Sequence, residues 1–168
     1  MANIPICVYE SAMWQNYPVG LSVYPCLSDC LVPHLCNTKY LFMKTTDNSL
    51  NWFEISVAEM PRAKKFYESI FGLALEDGEV AGTQMAFFPT DGGNGKIGGA
   101  LAQGPFHKPS IDGSKVYLNA NPNLSTVLDK VEKSGGKVVL PKTSIGDFGY
   151  MAFFIDSEGN VVGLHSNN

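Results

Sequence analysis

Glu54, Trp52, Tyr117, Lys115 and His165 are the residues whose types and spacing could do chemistry. Glu54 lies in a run that alternates, with Trp52, Glu54 and Ser56 on one face and Phe53, Ile55 and Val57 on the other. A carboxylate held among aromatic rings in a half-buried cleft tends to have its pKa raised, which suits general acid/base work or a hydrogen bond to a ligand. The plainer alternative is that Glu54 pairs with Lys115 or accepts from Tyr117, since structural pairs engage carboxylates too. Trp52 can be a stacking floor for a planar ligand, or it can simply fill volume. Lys115, Tyr117 and Asn119 share a face by the same alternation, as do Val161, Gly163 and His165. His165 can orient Glu54, act as a lone base, or be an exposed residue near the chain end. Phe148 and Tyr150 can edge a pocket, whereas Phe71, Phe87, Phe88, Phe153 and Phe154 read as core. His107, between prolines, reads as structural.

Two other constellations are weaker. Cys26, Cys30, His34 and Cys36 are metal-ligand types within a short span, but the last two are a single residue apart. Zinc sites pair their ligands with a wider gap between the pairs, so this spacing speaks against a tetrahedral site. A disulfide clasp is disfavoured in a chain kept reduced in the cytosol. The glycines at 93, 95, 98 and 99 form no phosphate-cradling motif followed by a helix, and they read as turn and bulge positions.

The elements that would position these groups are legible from about residue 50. Pro61 suits the first turn of a helix, because its missing N–H has no partner there. Ala63, Phe66, Tyr67 and Ile70 follow at i, i+3, i+4 and i+7, and Gly72 can close the helix in the left-handed conformation. Leu124, Val127, Leu128 and Val131 repeat that stripe, with Pro122 before it and Gly135-Gly136 after it. Met-Ala-Phe-Phe occurs at 85–88 and again at 151–154, each copy followed by an acidic, glycine-bearing turn and an apolar strand. The chain therefore says one thing twice: strand, helix, then three strands, over about 50–104 and about 113–166. Residues 104–113, rich in Pro and Gly, link the two.

Composition narrows the function. A net charge of -4 argues against nucleic acid, whose phosphates need a surplus of Lys and Arg on some face. No run reaches the roughly 18 apolar residues of a membrane span, and the start lacks a basic signal region. A cytoplasmic protein is expected. Residues 1–43 hold all four cysteines and few charges, and they show no lasting period. They are expected to be an irregular extension, with Met43 or a nearby codon as the physiological start, and residues 44–168 the single domain.

The doubled βαβββ pattern resembles the vicinal oxygen chelate superfamily of glyoxalase I, bleomycin resistance proteins and extradiol dioxygenases. The residues that carry the resemblance are Asn51-Trp-Phe-Glu-Ile, Arg62-Ala-Lys-Lys-Phe-Tyr-Glu-Ser-Ile-Phe-Gly72, Val116-Tyr-Leu-Asn and Asp156-Ser-Glu-Gly-Asn-Val-Val-Gly-Leu164. It implies an α+β fold in which tandem modules form a curved mixed sheet around a cleft, helices outside, with the Trp52 and Glu54 face turned into the cleft. It also implies a homodimer. Metal-using members carry ligands on the first and last strand of each module, and those positions fall here at Trp52, about Lys115, Gly98 or Gly99, and Gly163. None is a ligand type, so the chain resembles a metal-lacking branch, with no cofactor expected. Two functions stay open: a protein that binds a small organic molecule in a metal-free cleft, or a related lyase, isomerase or dioxygenase-like enzyme acting on a small carbonyl or aromatic substrate through Glu54.

Overall fold

Trp52–Ser56 forms β1, and the chain then turns into α1, Met60–Phe71. The computed structural model describes residues 47–91 and 96–168, which belong to one unit, Met43–Asn168. The expectations for residues 1–43, including the cysteine cluster and the alternative start, lie outside the described residues. After α1 come β2 (Glu76–Val80), β3 (Thr83–Phe87) and β4 (Gly98–Gln103). The second half repeats the order with β5 (Tyr117–Asn119), α2 (Ser125–Val131), β6 (Lys137–Ser144), β7 (Tyr150–Ile155) and β8 (Val161–Ser166). This is the expected α+β pair of βαβββ modules.

The strands form two four-stranded sheets, ordered β1-β4-β3-β2 and β5-β8-β7-β6. In each, the first and last strands of the module pair in parallel and the other neighbours are antiparallel. β1 and β5 are edge strands, so the strands build two separate mixed sheets rather than the one continuous mixed sheet that the resemblance implies. No described helix is long and apolar enough to cross a membrane.

The two helical stripes meet the sheets in one core. Ala63, Phe66, Tyr67 and Ile70 are buried with Leu124, Val127 and Val131, against Ile55, Leu101, Leu118, Phe154 and Leu164 from the strands. α1 ends where the sequence places its stop: Gly72 has φ 66°, and its N–H donates to the Glu68 carbonyl at 2.8 Å. In both modules the final residue of the last strand ties down the start of the helix. The Met60 N–H donates to Gln103 Oε1 at 2.9 Å, and the Leu124 N–H to Ser166 Oγ at 3.0 Å. α2 begins three residues after Pro122, later than the parallel with Pro61 suggests.

The turn between β7 and β8 joins the halves. Asp156, 3% exposed, accepts from the Tyr67 hydroxyl at 2.7 Å, from the Glu158 and Asn160 N–H groups, and from the Asn160 side-chain amide. That amide also donates to the Ser56 carbonyl at the end of β1. Glu158 accepts from the Ala58 and Glu59 N–H groups, both at 3.1 Å, and from Arg62 through both carboxylate oxygens at 2.8 Å. Glu59, the N-cap of α1, makes no cap bond with its own side chain, so a carboxylate from the second module fills that place at the positive end of the helix. Burial pushes the Glu158 carboxyl up. Bonds from Arg62, the backbone N–H groups and Ser157 outweigh that and hold it below the usual carboxylate range.

Candidate functional site

Alternation along β1 sends Ile55 into the core and leaves Trp52 and Glu54 exposed on the opposite face. Their neighbours there are small. Trp52 stands opposite Gly98 and Glu54 opposite Ala100 on β4. Ala100, Ala102 and Met85 form a separate buried cluster on this face, with Phe87 packed against it. The Trp52 ring lies 6.0 Å from Phe87, tilted by 57°. Its indole N–H donates to Glu54 Oε1 at 3.1 Å.

The other Glu54 oxygen is 2.7 Å from His107 Nε2. A carboxylate only accepts, so the geometry assigns the proton to Nε2. Nδ1 is then left buried and without a partner among the described residues. The His107 N–H donates to the Gly104 carbonyl, a turn that folds the linker back beside β4. A reading of isolated strands misses this contact. Its available signal was that β4 ends one residue before Gly104, whose turn closes at His107, and pairs with the strand carrying Glu54.

The second sheet repeats the plan. Tyr117 stands opposite Gly163, which in turn stands opposite Phe153, and Asn119 stands opposite His165. The Tyr117 and Phe153 rings are 5.4 Å apart. The Tyr117 hydroxyl makes a long contact of 3.9 Å to the Met151 sulfur. His165 Nε2 lies 2.7 Å from the Phe148 carbonyl, to which it donates.

The structure brings together Trp52 and Glu54 and separates several other expected partners. Lys115 lies outside β5, and its ammonium closes a loop by donating to the Ile111 and Gly113 carbonyls at 2.7 and 2.9 Å. It is therefore no partner of Glu54, and neither is Tyr117. His165 does not orient Glu54, because its Nε2 is turned to Phe148. Tyr150 shares the parity of Ala152 and Phe154, packs against the core, and has the Lys142 ammonium 4.3 Å from its ring centre. It does not join the open face. Phe148 is 79% exposed, in the 3-10 turn Gly146–Phe148. Phe87 and Phe153, read as core, flank Trp52 and Tyr117 instead, because each precedes by one residue the phenylalanine that enters the core.

Two cavities lie where the modules meet. One of about 150 Å³ is bordered by Glu54, Ser56, Ser110, Val116 and Asn160. It is smaller than the roughly 300–1,000 Å³ of a ligand pocket. The other, about 680 Å³, is lined mainly by apolar groups including Phe53, Phe71, Leu73, Phe88 and Leu118. It lacks the Trp52, Glu54 and His107 cluster.

Paired βαβββ modules, each with its first and last strands parallel and an open face opposite the helix, define a glyoxalase-type fold. The chain belongs to the glyoxalase/bleomycin resistance protein/dioxygenase superfamily, whose profile matches residues 49–164. It is 35% identical over 121 residues to CFP32, a glyoxylase by name, of Mycobacterium tuberculosis, covering 70% of this chain and 45% of that protein. The chain thus spans about half the length of that relative. A glyoxylase-like domain-containing protein of Didymella fabae is 28% identical over 115 residues, covering 66% of this chain and 88% of that protein. Among solved structures, the antibiotic binding protein TnmS3 of Streptomyces sp. CB03234 matches with a TM-score of 0.52 at 21% identity, over 74% of this chain and 100% of that one. A glyoxalase I variant of Zea mays matches at 0.54 with 20% identity, over 69% and 45%. Both show the fold.

The resemblance implies a divalent metal in some members, which needs three or four converging imidazole, carboxylate or thiolate donors. The strand register sets the four corresponding positions as Trp52 with Gly98 and Tyr117 with Gly163, so Tyr117 replaces Lys115 in the sequence-based assignment. Neither pair offers a donor set, and the aromatic rings occupy the approach. A Cβ built on Gly98 would lie 3.0 Å from Trp52 Cζ3, and one on Gly163 would lie 2.7 Å from Tyr117 Cδ1. The residues present do not fit such a metal at these positions.

Proposed function

We propose that the protein binds a small organic molecule on the open faces of its paired modules without a metal ion, as a homodimer in the cytoplasm. The observation that carries the reading is the Trp52, Glu54 and His107 cluster. The indole is oriented by Glu54, and Glu54 by His107, so an exposed ring is fixed in place before a ligand arrives. Such preorganisation lowers the entropy cost of binding. Membership of a superfamily with an antibiotic binding structural neighbour supports the reading, as do the net charge and the dimers implied by the resemblance.

The 2.7 Å carboxylate–imidazole contact favours a second reading, in which Glu54 and His107 act as acid and base on a small carbonyl or aromatic substrate. Thermal-shift screening of small carbonyl and aromatic compounds, followed by Glu54→Gln, separates the two. Under the binding reading the variant keeps most of its affinity for any compound found. A catalyst loses on the order of 10²–10⁴ in rate. A screen with no stabilising compound would refute binding as proposed.

A further inference from the structure

The ring-on-glycine pairs have the same construction in both modules, and the phenylalanine beside each ring is the third residue of a Met-Ala-Phe-Phe copy. In each, an aromatic residue of the first strand is 40–47% exposed, lies over a glycine of the last strand, and has a phenylalanine of the seventh or third strand beside it. Each glycine leaves room for a ring, and each ring takes the room that a ligand side chain on the glycine strand would need. A Cβ at Gly163 would also lie 2.9 Å from Tyr117 Cγ, an atom near the root of the side chain that cannot easily move away. Exposed rings held in one orientation present flat π faces, which suit ring stacking and offer nothing that chelates a cation.

We infer that the corresponding metal positions have been rebuilt as two aromatic platforms, Trp52 over Gly98 and Tyr117 over Gly163, that take flat aromatic molecules by stacking. This rests on the binding reading above and names its ligand class. The molecule's flat ring is what the site recognises, so a vicinal pair of oxygens is dispensable.

Three probes separate ring from oxygens: 2,3-dihydroxynaphthalene, 2,3-dimethylnaphthalene and cis-decalin-2,3-diol, each before and after EDTA is added. The full chain with Trp14→Phe keeps Trp52 as its one indole. Both naphthalenes are expected to quench its fluorescence, and the puckered diol is expected not to compete. In equilibrium dialysis, Trp52→Leu and Tyr117→Leu should each cut the bound naphthalene at least twofold at a fixed free concentration. Phe148→Leu, an exposed ring on neither platform, should leave it unchanged. A ligand-independent cycle reads the geometry: Gly163→Ala should lower the urea midpoint in the parent chain and be nearly silent with Tyr117→Ala. Equal competition by the decalin diol, loss of quenching on adding EDTA, or an additive cycle would overturn the platforms. If neither naphthalene binds while the broader screen finds ligands, the platforms alone fall. An empty screen removes the binding reading with them.

Discussion

Asp156→Asn tests how the halves are joined. Asp156 Oδ1 accepts the Glu158 and Asn160 N–H groups, and Oδ2 accepts the Tyr67 hydroxyl and the Asn160 amide. An amide can keep one oxygen but turns a donor toward two donors at the other. Tyr67 is fully buried, so its hydroxyl has no water to turn to. Losing an anionic acceptor costs about 1.5–3 kcal/mol per buried donor. The half-exposed Asn160 amide adds less, for about 2–4 kcal/mol in all. Tyr67→Phe alone removes the donor and leaves Asp156 three others, at about 1–2 kcal/mol. In the Asp156→Asn background the same change should cost almost nothing, because the bond it deletes is already gone. Urea unfolding of the four chains, with an unchanged slope, measures this coupling. A cost for Asp156→Asn within about 0.5 kcal/mol of zero, or additivity of the pair, would refute the reasoning.

Two further outcomes follow from the fold. Glu158 is held below its ordinary carboxylate range, so its contribution to stability is present above the unfolded-state pKa and is lost as pH falls through the folded one. Glu158→Gln should therefore lower stability near neutrality and flatten the acid limb of a stability–pH curve, and an unchanged acid limb would contradict this. Gly72→Ala should cost about 1 kcal/mol, because nothing crowds a Cβ there and only the positive φ resists it. Chemical denaturation that leaves the midpoint unmoved would count against this.

The helices were legible because a 3.6-residue period needs no knowledge of the partner. Ala63, Phe66, Tyr67 and Ile70 declare a buried stripe wherever the sheet lies. The duplication was legible for a similar reason, since Met-Ala-Phe-Phe keeps its distance from the helix in both halves. Strand positions were harder. Alternation places Lys115 and Tyr117 on one face, but only the register with Gly163 shows that β5 begins after Lys115. Tyr150 was assigned to a pocket edge, although its parity with Ala152 and Phe154 sends it to the core. The outward position of Glu54 on β1 was legible from alternation, whereas its contact with His107 was not. That contact spans 53 residues and depends on how the Gly104 turn folds the linker, which no local pattern encodes.

The carboxylate that completes the start of α1 has a consequence for the order of events during synthesis. Glu158 lies 100 residues after Ala58. At roughly 5–20 residues per second a ribosome takes about 5–20 s to bridge that gap. Over that interval the emerging first half has its strand and helix sequences but not the group that terminates them, nor the amide that covers Ser56. The nascent first half is thus a fragment with an open joint, and the last strands to emerge close it.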